Sequence, residues 1–313
     1  MNFSLDTTAL HTLRDLVQLQ AVRSAESLAY AFLDDKLDIK ERLSYAGLHQ
    51  AAQAIAVSLA AHVQPGDRVV LALRNGLDAV RLFWGCIEAG VIPVPAPAPD
   101  AKNARASESR LRGLASDAGA ALCVASAEHL AAARAQVPDA RWLSPEDLAG
   151  KDASGAPLQP AATTNVQGIA YLQYTSGSTS QPRGVEISHA NVLAQCKALD
   201  DAMGGGLPNA SSLIWLPWFH DYGLLHGLIQ PVYLGAPAYL MPTERFLLSP
   251  LKWLEAIGRY QVTYSGAPNF AYRACVDALR RAPDWSADLR HWRFATCGAE
   301  PVRAATLEAF AQA

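Results

Sequence analysis

Apolar and polar positions along this chain keep two rhythms from about residue 65 onward. In "PGDRVVLALRNG" an apolar run, Val69 to Leu73, stands between Pro-Gly and Asn-Gly, which predicts a buried strand bounded by turns. "LDAVRLFWGCIEAG" follows with Val80, Phe83, Trp84 and Ile87 at helical spacing and Gly90 as a stop. "VIPVPAPAPD" reads as a short strand running into extended, proline-rich chain. A second round predicts a helix near Ser109 to Ala118, a strand at "ALCVA", a helix from about Ala127 to Ala135, and then "ARWLS". Residues 151–167 are small, polar and proline-containing and read as a surface connection. Beyond them "GIAYLQY" predicts a strand, "ISHANVLAQCKAL" a helix, "SSLIWLP" and "APAYLMP" strands, "SPLKWLEAIGRY" a helix and "QVTYSGAP" a strand. "HWRFATCGAEPV" and "RAATLEAFAQA" continue the pattern, the latter as a helix. Strand and helix alternate throughout, so the expected fold class is α/β, with largely parallel sheets covered by helices.

Composition narrows the picture without changing it. With 313 residues, 50% hydrophobic and 18% charged, the chain can bury a sizeable core in one large or two ordinary domains. A formal charge of -3 and dispersed Lys and Arg give no basic patch for a nucleic acid or an anionic membrane. Cys86, Cys123, Cys196, Cys275 and Cys297 lie far apart with no CxxC pair or zinc-type spacing, and read as free thiols of a reducing compartment. The start lacks a basic segment followed by an apolar one, and no apolar run approaches the ~20 residues that span a bilayer, so a soluble, cytoplasmic protein without a transmembrane segment is expected.

The richest chemistry lies in "QYTSGSTSQPRGV", Gln173 to Val185. Thr175, Ser176, Ser178, Thr179 and Ser180 offer five hydroxyls, Gly177 and Gly184 let the backbone turn and approach closely, and Arg183 adds a fixed positive charge. Such a loop at the end of a strand can wrap phosphate oxygens with hydroxyl and main-chain N–H donors. A mobile Ser/Gly connection has the same composition. A Walker A loop is excluded, because Arg183-Gly184-Val185 stands where Gly-Lys-Ser/Thr is required.

"YTSGSTSQPRGV" resembles the phosphate loop of the adenylate-forming superfamily of acyl-CoA ligases, peptide-synthetase adenylation domains and luciferases, with Ser180 for the usual Gly and Arg183 for the usual Lys. A guanidinium fork is not a point charge, so cation geometry at the pyrophosphate is expected to differ. Further segments are similar to that family's in the same order: "WLPWFHDYGLLHGL" (Trp215 to Leu228), "YSGAPNFAY" (Tyr264 to Tyr272) and "CGAEPV" (Cys297 to Val302). Together with "GVIPVPAPAP" they look most like the fatty acyl-AMP ligase branch.

The resemblance implies ATP and Mg²⁺ as cofactors and activation of a fatty acid to an acyl-adenylate with release of pyrophosphate. Transfer to the phosphopantetheine thiol of an acyl carrier protein would follow, with CoA as the alternative acceptor and a noncatalytic acyl- or nucleotide-binding scaffold as the alternative role. It assigns Thr175, Ser176, Gly177, Ser178, Thr179, Arg183 and Gly184 to the phosphates, with Thr175 and Ser178 nearest the metal. Gly298, Ala299, Glu300 and Pro301 would pack on adenine and ribose, with a helix beginning near Pro301. His220 is the expected catalytic residue, against the reacting carboxylate or gating the thiol path. Asp221 either bonds locally or pairs with a substrate ammonium, as in amino-acid-activating relatives. Gly266, Ala267, Pro268 and Asn269 either line an acyl channel or form a strand-end turn. The 313 residues correspond to a partial N-terminal AMP-binding domain, with subdomains roughly 50–200 and 1–50 joined with 205–313. The mobile C-terminal domain with its lysine is absent, and a truncated chain is expected not to complete the cycle.

Overall fold

The computed structural model describes residues 10–100, 103–149, 168–174 and 183–313. Among them, strands follow in chain order as β1 (Leu28–Leu33), β2 (Ile39–Ser44), β3 (Arg68–Ala72), β4 (Ile92–Ala96), β5 (Leu122–Ala125), β6 (Trp142–Leu143), β7 (Ile169–Tyr174), β8 (Gly184–Ser188), β9 (Ser212–Ile214), β10 (Ala238–Leu240), β11 (Tyr264–Ala267) and β12 (Phe294–Cys297). They form a six-stranded sheet in the order β12-β11-β9-β10-β1-β2, a four-stranded sheet in the order β4-β3-β5-β6, and the hairpin β7-β8. Every pairing is parallel except β1 with β2 and β7 with β8.

The apolar runs explain the strands. β3 is buried on both faces: Val69 and Leu71 face the larger core, and Val70 and Ala72 a smaller one with Val94, Cys123 and Leu114. That split is the period-2 alternation of a pleated strand between two layers. Helix Leu77–Ala89 buries Val80, Phe83, Trp84 and Ile87, the positions whose spacing predicts it. Helix Leu251–Arg259 buries Trp253, Leu254 and Ile257 and carries Lys252 and Glu255 outward. No helix among the described residues is long and apolar enough to cross a membrane.

Three expectations need correction. The helix predicted from Ser109 runs Ala104–Asp117, because its first turn is exposed and polar and carries no apolar rhythm. Ile187 and Ser188 are strand rather than helix: Ser188 exchanges hydrogen bonds with Asn191 as a capping box, so the helix is His189–Ala202. The last helix is Ala304–Gln312 and does not begin at Pro301, since the Arg303 amide is held by Asn269 Oδ1 at 3.0 Å.

Candidate active site

Four chain segments meet where the larger sheet ends. β9, β11 and β12 are parallel, with Ser212 beside Tyr264 and Ala267 beside Cys297, so the segments leaving them at their carboxyl ends lie side by side. In open α/β sheets this edge is where ligands bind. β7 brings the fourth segment, and it does so from an antiparallel hairpin rather than from the parallel sheet.

β7 ends at Tyr174, and Thr175, Ser176, Gly177, Ser178 and Thr179 lie outside the described residues. The flanks of that loop are fixed. Tyr174 donates its hydroxyl to Asp117 Oδ2 at 2.6 Å, and burial together with that carboxylate pushes its pKa up. A Cβ at Gly184 would stand 2.9 Å from the Tyr174 ring, so the strand closes over that ring only because the residue is glycine. Arg183 is exposed beside it. One residue earlier, buried Gln173 donates from Nε2 to the Phe219 carbonyl at 2.9 Å, while its Oε1 is enclosed without a partner among the described residues.

The segment Trp215–His220 is shaped by Asn75, which follows β3. Its Nδ2 donates to the Leu216 carbonyl at 2.9 Å and its Oδ1 accepts from the Trp218 amide at 2.9 Å. Trp218 Nε1 donates to the Leu73 carbonyl at 2.8 Å, and Thr243 Oγ1 to the Trp215 carbonyl at 2.7 Å. Sequence reasoning took the Asn-Gly after β3 only as a turn signal; an Asn at the carboxyl end of a buried strand was the clue to this role. Phe219 walls a cavity of about 600 Å³ that is also lined by Arg74, Asn75, Gly76, Pro217 and Thr243.

His220 caps the short helix Asp221–Leu224. Its Nδ1 lies 2.6 Å from Asp221 Oδ1, and the Tyr222 amide is 2.7 Å from the same oxygen but 3.4 Å from the imidazole. The shorter contacts decide the tautomer: Nδ1 carries a proton and donates to the carboxylate, so Tyr222 N–H serves Asp221 and Nε2 is the ring nitrogen left for another partner. The hydrogen bond to Asp221 raises the His220 pKa against an opposing burial, and the same bond lowers that of Asp221.

Tyr222 ties this helix to the neighbouring strands. Its hydroxyl is 2.7 Å from Thr296 Oγ1 and 3.1 Å from the Thr296 carbonyl in β12. Gly266 of β11 lies beneath: a Cβ there would come within 2.2 Å of the Tyr222 oxygen and 1.9 Å of Thr296 Oγ1. Ala267 is fully buried, and Pro268 leads into helix Asn269–Arg281. Glu300 Oε1 accepts from the Phe270 amide at 2.6 Å, and Asn269 Oδ1 from Arg303 N, so the exposed Ala299–Arg303 segment is tied to the start of that helix. Ala299 holds a left-handed φ of 66°, uncommon outside glycine and found at sites that fix a backbone. Gly298 has open space where a side chain would stand. Thus His220, Asp221 and Gly266 come together through Tyr222, which sequence reasoning did not single out, while Gly298–Pro301 follows β12 and is tied to the start of helix Asn269–Arg281.

No group of three or more His, Cys, Asp or Glu side chains that could cage a metal occurs among the described residues. The arrangement offers an oriented imidazole, hydroxyl and amide donors, and a closely packed sheet edge.

A family described as AMP-binding enzyme matches residues 17–313. A medium-chain-fatty-acid–[acyl-carrier-protein] ligase of Moorena producens is 36% identical over 306 residues, covering 96% of this chain and 51% of that protein. A 4-hydroxyphenylalkanoate adenylyltransferase of Mycobacterium tuberculosis is 32% identical over 320 residues, covering 96% and 50%. The crystal structure of a fatty acyl-adenylate ligase from L. pneumophila with acyl adenylate and pyrophosphate superposes with a TM-score of 0.87 at 33% identity, over 98% of this chain and 53% of that one. The chain spans about half the length of these three relatives.

Proposed function

The chain belongs to the AMP-binding enzyme family, and from that premise we propose that it supplies the nucleotide- and acyl-binding part of a fatty acyl-AMP ligase. The reaction is the ATP-dependent activation of a fatty acid, followed by transfer to the phosphopantetheine thiol of an acyl carrier protein in the cytoplasm. The observation that carries this reading is the junction at Tyr222, which joins the His220 segment to β11 and β12 in a chain whose relatives include a fatty-acid–carrier-protein ligase. The proposed division is roughly 50–200 as one subdomain, and 1–50 with 205–313 as the other.

In the first half-reaction a carboxylate oxygen attacks the α-phosphorus of ATP, a P–O bond forms, and the bond to pyrophosphate breaks. In the second a thiol sulfur attacks the acyl carbonyl and AMP departs. Both steps need alignment and charge stabilisation more than proton abstraction. Thr175, Ser176, Gly177, Ser178, Thr179, Arg183 and Gly184 would hold the phosphates, and Gly298, Ala299, Glu300 and Pro301 the adenosine. His220, oriented by Asp221, would present Nε2 to the reacting carboxylate, and Gly266, Ala267, Pro268 and Asn269 would bound the acyl chain. Thr175 and Ser178 would stand nearest a Mg²⁺ bound with ATP, which would supply neutralisation of the phosphate charge. This fits a site without a carboxylate cage among the described residues.

Thermal stabilisation by a nonhydrolysable dodecanoyl-adenylate analogue, beside an aminoacyl analogue and ATP alone, tests the reading. A ligand at ~100 times its Kd adds about 2.7 kcal/mol of stability. A shift with the fatty analogue supports fatty acid activation; a shift with the aminoacyl analogue only, or with none, overturns it. Loading of holo-carrier protein against CoA by the full-length enzyme then assigns the acceptor.

A further inference from the structure

The turn that carries His220 is rigid within itself. The His220 amide donates to the Pro217 carbonyl at 3.1 Å, and helix Asp221–Leu224 closes on that carbonyl so tightly that a Cβ at Gly223 would stand 2.1 Å from its oxygen. Pro217 to Gly223 therefore moves as one unit, and whatever fixes the main chain on either side of Pro217 also fixes His220. Burial of Trp215 and Trp218, 1% and 2% exposed, presses the segment onto the core, but apolar contact has no direction. Direction comes from hydrogen bonds.

Asn75 supplies two of them, one on each side of Pro217. Its Nδ2 donates to the Leu216 carbonyl and its Oδ1 accepts from the Trp218 amide, both at 2.9 Å, and only this setting of the side-chain amide satisfies both groups. The Trp215 carbonyl and Thr243 Oγ1 stand at 3.4 Å from the same Nδ2. Both polar atoms of Asn75 are thus committed to the protein, although the residue lines the cavity beside Phe219. Its own place is set by β3, paired on both sides, and by the buried helix Leu77–Ala89 that follows.

We propose that Asn75 is a positioning residue for acyl-adenylate formation. By holding Leu216 and Trp218 it sets the place of His220 relative to the four-stranded sheet, and so the line along which a carboxylate oxygen attacks the α-phosphorus and expels pyrophosphate. This rests on the fatty acyl-AMP ligase reading. Asp cannot replace Asn75, because a carboxylate has no donor for the Leu216 carbonyl, and Ala leaves both main-chain groups without their partner.

The test follows dodecanoate-dependent exchange of pyrophosphate into ATP by the full-length enzyme and its Asn75→Ala, Asn75→Asp and Thr12→Ala variants, at a temperature where thermal unfolding shows them folded. Thr12→Ala is the stability control: it removes the capping box of helix Leu13–Arg23, which carries none of the residues assigned to the site. Both Asn75 variants should lose roughly tenfold to a hundredfold in kcat while KM for ATP and for dodecanoate stays within about twofold, the pattern of an interaction that acts in the transition state. Thr12→Ala should keep the parent kcat. A raised KM at constant kcat, a kcat equal to the parent's, or an equal loss of kcat in Thr12→Ala overturns the inference and leaves the activation reading in place. One folded Asn75 variant is enough to decide; if neither folds, Asn75 is a fold contact and the inference fails. Absence of exchange by the parent enzyme with any fatty acid overturns the activation reading, and this inference with it.

Discussion

The side-chain amide of Gln173 donates to the main-chain carbonyl of Phe219, 2.9 Å away and 46 positions along the chain, joining the strand that enters the hydroxyl-rich loop to the segment that carries His220. On the activation reading these two segments hold the phosphates and the carboxylate of one reaction, so a bond between them fixes the distance over which attack occurs. A displacement of 1 Å at such a junction can cost about a hundredfold in rate.

Substitution at Gln173 should therefore depend on polarity more than on volume. Gln173→Glu removes the donor and turns a carboxylate oxygen toward the Phe219 carbonyl in a buried place, and should cost about 1–3 kcal/mol. Gln173→Leu should cost less, because it also removes the enclosed, unpartnered Oε1. Urea unfolding of the two variants ranks them. A Leu variant less stable than the Glu variant would mean that volume governs the site.

The His220–Asp221 pair should leave a signature in pH. His220 binds its proton more tightly folded than unfolded, so its contribution to stability is full below the usual 6.5 and is lost as pH rises through the higher folded value. Asp221 contributes above its usual 3.8, and that contribution is lost as pH falls through the lower folded value. The pair stabilises the fold most between those two usual values. Half of the imidazole and more of the carboxylate are exposed, so the effect is screened and small. Asp221→Asn should lower the His220 titration midpoint followed by NMR, and the stability difference from the parent chain should shrink toward alkaline pH. An unmoved midpoint would remove Asp221 as the orienting group.

What the sequence made legible follows from burial. β3 and β5 lie in a parallel sheet and read as short apolar runs, and β7 reads as a strand from its aromatic and β-branched content. β2, "IKERLS", lies at a sheet edge with Lys40, Glu41 and Arg42 exposed, and only its main-chain pairing to β1 makes it a strand. His220 stood out because its neighbours form a recognisable run. Asn75 and Tyr222 did not, since their roles come from contacts 141 positions away at Leu216 and 74 positions away at Thr296, which no local pattern encodes.

Tyr174 and Gly184 form the base of the hydroxyl-rich loop, and the phenol is useful only while it reaches Asp117. Gly184→Ala would push a methyl against the ring at 2.9 Å and lift the hydroxyl from the carboxylate. The expected loss is about 1–3 kcal/mol, in the range of overpacking. In a Tyr174→Phe background the same change should cost less, because the hydrogen bond is already gone. Full additivity of the two changes in thermal unfolding would show that the clash, and not the bond, sets the cost.

Gly266 allows the sharpest test of the junction. Its missing side chain is the space in which Tyr222 and Thr296 exchange their hydrogen bond, and the Thr296 carbonyl stands 2.8 Å from where a Cβ would be. Gly266→Ala must either break that bond or open the β11–β12 pairing, and should destabilise the chain by about 1–3 kcal/mol. Thr296→Ala removes the nearer obstacle at 1.9 Å but not the carbonyl, so the double variant should recover part of the loss and not all of it. Tyr222→Phe alone should cost less than Gly266→Ala, as it leaves the strands in register. On the activation reading all three should weaken binding of the dodecanoyl-adenylate analogue, because the helix capped by His220 would no longer be held against β12. If Gly266→Ala lowered stability while analogue binding in the folded fraction stayed at the parent level, Tyr222 would be a fold contact without a positioning role.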